Sequence, residues 1–158
     1  MVFQPLFERL GLKSRLRGCF DHLTVSPVFG HASIVMLLIV QLLIGYRRLS
    51  DLRYYQDDPM EKRTLGLKRL PDVATVSRTL DGMDKTAVRE LRRLSRSLVL
   101  ERLKHAPARL TLDFDGSVIG TTRMAEGTAV GYNKKKNRQR SYYPLFCTVA
   151  QTGQVLDV

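Results

Sequence analysis

The chain has 158 residues, 44% hydrophobic and 26% charged, which sets aside a disordered polypeptide and leaves room for one ordinary domain or a small domain joined to part of another. Its 26 Lys and Arg against 15 Asp and Glu give a net charge of +11, a balance that points to a polyanionic partner such as nucleic acid; an anionic membrane surface and mere basic solubility are the alternatives. Cys19 and Cys147 stand far apart with no Cys-x-x-Cys spacing and only three His in the chain, which argues against zinc and for ordinary thiols in a reducing cytoplasm.

Residues 1 to 27 set Phe3, Leu6, Phe7, Leu10 and Leu12 among basic residues, the pattern of a short amphipathic helix followed by a loop ending at Ser26-Pro27. Glu8, Arg9, Lys13, Arg15 and Arg17 fall where a secretory signal would carry its apolar core, so no such signal is expected. From His31 to about Tyr55 the spacing predicts a helix, apolar on nearly every side at Ile34, Val35, Leu37, Leu38, Val40, Leu42 and Leu43. Such a helix must be buried, in its own core or against a second subunit. The run Ile34 to Ile44 is interrupted by Gln41 and falls short of the roughly 20 residues that a membrane span needs.

Asp57-Asp58-Pro59 opens a short helix to about Leu65, Gly66 to Asp72 reads as a connector, and Val73 to Met83 reads as another short helix with Asp72 as its N-cap. This order suits a helix-turn-helix whose second helix would offer Thr75, Ser77, Arg78 and Thr79 to a DNA groove, although two short helices joined by a turn are also ordinary packing in a small helical domain. Asp84 begins a longer helix, with Val88, Leu91, Leu94 or Ser95, and Leu98 as its buried stripe. Arg89, Arg92, Arg93 and Arg96 fill the rest of its circumference, as a solvated face or as a phosphate-contacting one. His105-Ala106-Pro107 ends the helical half. Up to Ala106-Pro107 the chain holds 19 basic and 11 acidic residues and beyond it 7 and 4, so a surface for a polyanion is expected mainly in the first part.

Arg109 to Gly120 alternates apolar and polar residues through Phe114, which predicts a strand; Tyr143 to Ala150 is a second and, after a turn at Gln151 to Gln154, Val155 to Val158 a third. On a strand, Asp113 and Asp115 share one face while Leu112 and Phe114 take the other. Two neighbouring carboxylates repel unless a cation sits near them, and their oxygens suit a hard divalent ion; a solvent-facing Asp beside an Asp-Gly turn is the plainer reading. Lys134, Lys135, Lys136, Arg138 and Arg140, flanked by Tyr132, Tyr142 and Tyr143, form either a solvated loop or one that binds phosphates.

The ordered set Thr111-Leu-Asp-Phe-Asp-Gly-Ser117, Glu126-Gly-Thr-Ala-Val-Gly-Tyr-Asn133, a Lys-Lys-Lys-x-Arg-x-Arg tract and Ser141-Tyr-Tyr-Pro-Leu145 closely resembles the opening of the catalytic domain in DDE-group insertion-sequence transposases. Gly45-Tyr-Arg-Arg-Leu-Ser-Asp-Leu-Arg53, Asp57-Asp-Pro59 and Leu70-Pro-Asp-Val-Ala-Thr-Val-Ser-Arg78 are similar to the same family, so the likeness covers most of the chain from about His31 onward.

The resemblance implies an α+β fold: an all-α, helix-turn-helix-like DNA-binding or oligomerisation domain over residues 1 to 105, then, over 106 to 158, the first antiparallel strands of an incomplete ribonuclease H-like domain. Asp115, accompanied by Asp113, matches the first catalytic, metal-binding acid of that domain. Many relatives carry Ser or Thr directly after this Asp, where the present chain has Gly116 and then Ser117. Also implied are Mg²⁺ or Mn²⁺ in the complete enzyme, insertion-sequence terminal repeats in double-stranded DNA as partner, a homodimer, no membrane, and the bacterial cytoplasm. The second Asp and the Glu of the family's triad have no matching motif here. The expectation is therefore an N-terminal fragment that binds DNA without cleaving it, with a stand-alone helical DNA-binding or oligomerisation module as the alternative.

Overall fold

Glycine divides the N-terminal amphipathic segment. Gly11 takes the left-handed conformation (φ 57°), so the one predicted helix becomes two, α1 (Gln4–Arg9) and α2 (Leu12–Gly18), which bury Phe7, Leu12 and Leu16. The computed structural model describes residues 3–24, 28–103, 109–121, 124–133 and 138–158; Ser26-Pro27, the His105-Ala106-Pro107 break and Lys134, Lys135 and Lys136 lie outside them.

Helix α3 (His31–Leu43) is the core of the helical part, with Ile34 and Leu37 fully buried and Met36 and Val40 nearly so. It packs against α2, α4 (Pro59–Leu65) and α5 (Val73–Asp81). The predicted continuation to Tyr55 does not occur, because Gly45 turns left-handed (φ 97°) and Leu42, Leu43 and Ile44 emerge at the surface; a 3-10 helix, Leu49–Tyr54, follows. Gln41 is buried on this apolar helix without cost in lost hydrogen bonds. Tyr55 Oη donates to its Oε1 at 2.7 Å, and its Nε2 donates to the carbonyl of Arg48 at 2.6 Å.

Local caps set the next three helices. Asp58 accepts from the Met60 N–H and Gly66 ends α4 in the left-handed conformation. Asp72 accepts from the Thr75 N–H at 2.6 Å at the start of α5, and Asp84 from the Ala87 N–H at 2.8 Å at the start of α6 (Lys85–Arg102), while also meeting His22 Nε2 at 3.0 Å. The Thr75 N–H holds the Asp72 carboxyl below the usual range, and the Ala87 N–H, with His22, does the same for Asp84. On α6, Ala87 and Val99 are buried and Leu91, Leu94 and Leu98 half-buried, whereas Val88, expected in that stripe, is exposed. Cys19 and Cys147 are free thiols, and burial pushes that of Cys19 up.

The chain forms two compact units, Met1–Leu94 and Ser95–Val158, divided within α6. The second holds a three-stranded antiparallel sheet in the order β1 (Leu112–Gly116), β5 (Leu145–Val149), β6 (Gln154–Asp157), the three strands read from the sequence. The strand expected over Arg109 to Gly120 is split after Gly116, and its end joins a smaller, unforeseen sheet that pairs β2 (Ile119–Gly120) and β3 (Ala129–Val130) with β4 (Arg140–Tyr142) between them. The architecture is therefore mixed helix and antiparallel sheet, and among the described residues no helix is long and apolar enough to cross a membrane.

One buried group stands out on α4. Glu61 is buried with its Oε2 lacking a hydrogen-bond partner among the described residues, and burial, then Asp58, push its carboxyl up. The folded chain thus holds this proton more tightly than the unfolded one, and the carboxylate costs stability as pH rises above the ordinary glutamate value of about 4.3. Glu61→Gln is expected to stabilise the protein by on the order of 1 kcal/mol at neutral pH. In denaturant titrations the gain should fade as the pH is lowered to about 4.

Candidate functional site

The strand β1 runs antiparallel to β5 with Asp113 opposite Thr148, Phe114 opposite Cys147 and Asp115 opposite Phe146. The pleat therefore sets the two carboxylates on one face and Leu112 and Phe114 on the other. Every residue of β1 is exposed, and β1 is an edge strand of its sheet. Neither carboxylate takes a hydrogen bond or ion pair from a described residue.

The glycine-rich motif after β2 folds under its own aromatic and polar side chains. Tyr143 lies so close to Gly131 that a Cβ there would meet its hydroxyl at 2.8 Å, and the Gln139 amide covers Gly120 while donating to the Thr121 carbonyl at 3.0 Å. Asn133 and Ser141, known from the sequence only as motif residues, are both buried and joined by a 3.3 Å hydrogen bond. Arg140 sits half-buried on β4 with Nε donating to Thr128 Oγ1 at 2.9 Å, and Nη2 donating to the Thr128 carbonyl. Arg138 is exposed with positive φ (63°).

Thr75, Ser77 and Arg78 lie on α5 as the sequence predicts, but Arg78 folds back on its own helix, Nε donating to the Ala74 carbonyl and Nη2 to Thr75 Oγ1, while Thr79 Oγ1 bonds the Thr75 carbonyl. Thr75 also lines a cavity of about 250 Å³ with Lys62, Arg69 and Asp72; the Arg69 guanidinium sits 5.7 Å from the Phe29 ring there. Arg89, Arg92 and Arg93, spaced three and four apart, share one side of α6 in the first unit. Glu90 meets Arg93 at 3.0 Å and Arg89 at 3.5 Å; in the second unit Arg96 bonds Asp157 of β6.

The family model described as transposase DDE domain, group 1, matches residues 1–158. The chain belongs to this transposase family. No curated protein and no solved structure matches it. DDE transposases generally work with divalent ions such as Mg²⁺, and Asp113 and Asp115 supply the oxygen donors such an ion prefers. The donor type fits but the number does not: among the described residues no three His, Cys, Asp or Glu gather into a group able to hold a metal. No reaction step can therefore be drawn through the ion from these residues alone.

If the two carboxylates serve chemistry and not folding, their removal should leave the fold alone. Asp113→Asn, Asp115→Asn and the double variant are expected to unfold within about 2 °C of the parent protein, or slightly above it, in calorimetry. A loss of several degrees would show that the carboxylates hold the sheet together.

Proposed function

We propose that this transposase-family chain binds double-stranded DNA through its helical part and presents Asp115, accompanied by Asp113, as the first acid of a metal-dependent phosphodiester chemistry. The observation that carries the reading is the side-by-side placement of these carboxylates on β1, in a chain whose whole length matches the transposase family. The helical part would run to residue 105 and the catalytic, ribonuclease H-like part from 106, and an antiparallel sheet with acids on its first strand supports that assignment. When bound, Mg²⁺ or Mn²⁺ would be held by Asp115 and Asp113, together with further acids, and would neutralise charge developing at the attacked phosphate.

Helices α4 and α5, joined through residues 66–72, supply the helix-turn-helix, with Thr75, Ser77 and Arg78 on the reading helix. Phosphates would be met by Arg89, Arg92, Arg93 and Arg96 of α6 and by Lys134, Lys135, Lys136 and Arg138 of the basic tract, whereas Arg140, also in that tract, is held on β4 by Thr128. The pairs Arg89 and Arg93 make with Glu90 are exposed and weak, so a phosphate can displace them. The DNA partner is taken to be the terminal repeats of an insertion sequence, bound by a homodimer.

Duplex DNA binding should fall steeply with salt, by roughly 10³–10⁵ between 50 and 200 mM if six to ten phosphates are contacted. Arg89→Ala or Arg93→Ala should weaken all duplexes alike and lower the slope of log affinity against log salt by about 1 each, whereas Arg78→Ala should also blunt sequence preference. No binding to any duplex at low salt would end the proposal. With no third acid gathered beside Asp113 and Asp115 among the described residues, the chain is expected not to nick a supercoiled plasmid in Mg²⁺; metal-dependent nicking by it would overturn that expectation.

A further inference from the structure

The turn that follows α3 does more than end a helix. Tyr55 is buried, 5% exposed, and anchored by its hydrogen bond to Gln41; the Tyr46 ring stacks on it at 5.4 Å and 18°. Tyr46 also stacks on Tyr54 at 5.9 Å and 23°, and Tyr54 is 77% exposed. Offset, nearly parallel rings at these separations attract one another. A series of rings thus leads from the core to the surface, fixed at its inner end and open at its outer one.

The surroundings are cationic. Arg47, Arg48 and Arg53 are exposed and take part in no ion pair among the described residues. Of the nearby acids, Asp51 is engaged by the backbone N–H groups of Arg47 and Arg48 at 3.2 and 2.9 Å, Asp58 caps α4 through the Met60 N–H, and the exposed Asp57 meets Lys62 at 3.4 Å, so none of them pairs with these guanidinium groups. Leu42 and Leu43, 63% and 45% exposed, add apolar surface at the same end of α3.

We propose that this surface binds an unpaired DNA base: the base stacks on Tyr54, continuing the tyrosine series, while Arg47, Arg48 and Arg53 meet the flanking phosphates. The inference rests on the reading above only in taking the polyanion to be DNA. A base inside a duplex has both faces covered by its neighbours, so an exposed ring of this kind offers a stacking face only to a base outside the stack. A second copy of the chain is disfavoured as occupant, because a two-fold contact at this surface would set three arginines against three while Asp51, Asp57 and Asp58 are already engaged.

The test compares a labelled single-stranded oligo-dT with a mixed-sequence duplex by fluorescence anisotropy at low salt. Tyr54→Ala should lose roughly 5- to 100-fold in affinity for oligo-dT and leave duplex affinity unchanged, while Tyr54→Phe keeps both. Since the chain contains no Trp, Tyr54→Trp introduces a single indole whose emission oligo-dT should quench. Equal oligo-dT affinity of Tyr54→Ala and the parent would overturn the proposal. So would conversion of a dimer to a monomer by Tyr54→Ala in sedimentation without any change in oligo-dT affinity, which would make the surface a subunit contact. A parent protein that binds oligo-dT but no duplex would remove the duplex reading and leave this one standing; one that binds neither removes both.

Discussion

The helical unit rests on the covering of one apolar helix from several sides. Ile34 and Leu37 of α3 lose all contact with solvent, and each aliphatic side chain so buried contributes about 1.5–3 kcal/mol. No single partner can cover a helix that is apolar around most of its circumference, so α2, α4 and α5 each take a share. Gln41 is the exception on that surface, and its two hydrogen bonds bind the end of α3 to Tyr55 and to the backbone at Arg48. The chain therefore leaves α3 at Gly45 along a defined path, and the same bonds that satisfy a buried amide bring Tyr46, Tyr54 and Tyr55 together.

A different constraint governs the second unit. The period of two along β1, locked by its register with β5, puts Asp113 and Asp115 on one face whatever their role. In water two such charges repel by about 1 kcal/mol or less, which an exposed strand tolerates; in a covered, low-dielectric site the same pair would repel several times more strongly. Leu112 and Phe114 on the opposite face are also largely exposed, 43% and 64%. Chemistry at this strand therefore requires cover and a cation together, because cover without a cation makes the pair of carboxylates unfavourable.

The parts of the fold that were legible in the sequence are those decided within a few residues. Asp58 before Pro59, Asp72 and Asp84 announce helix starts because the cap bonds only to backbone two or three residues on. Strands β1, β5 and β6 are long enough to show alternation or apolar density; β2, β3 and β4, of two or three residues, show none. The end of α3 escaped because apolar spacing continues past it and one left-handed glycine decides the exit. Ala87, and not Val88, is buried on α6, a shift of one position that composition does not reveal. Motif order carried the family assignment, which extends through the first thirty residues where the local pattern carried little. The tyrosine series could not be read at all, since Tyr46 meets Tyr54 and Tyr55 only after the chain has doubled back.

The net charge of +11 overstates the cations ready for a polyanion, and the structure ranks them by what would have to be broken first. Arg47, Arg48 and Arg53 take part in no ion pair among the described residues. Arg89 and Arg93 share Glu90 at the surface, where an ion pair is worth at most about 1 kcal/mol and positions the side chains more than it restrains them. Arg78 must give up hydrogen bonds to its own helix. Arg140 is half-buried with two acceptors on Thr128, so releasing it would strand polar atoms in the sheet that carries the glycine motif. On this ordering Arg140 belongs with the fold, and the exposed arginines of the helical unit are the ones a polyanion could meet without breaking it.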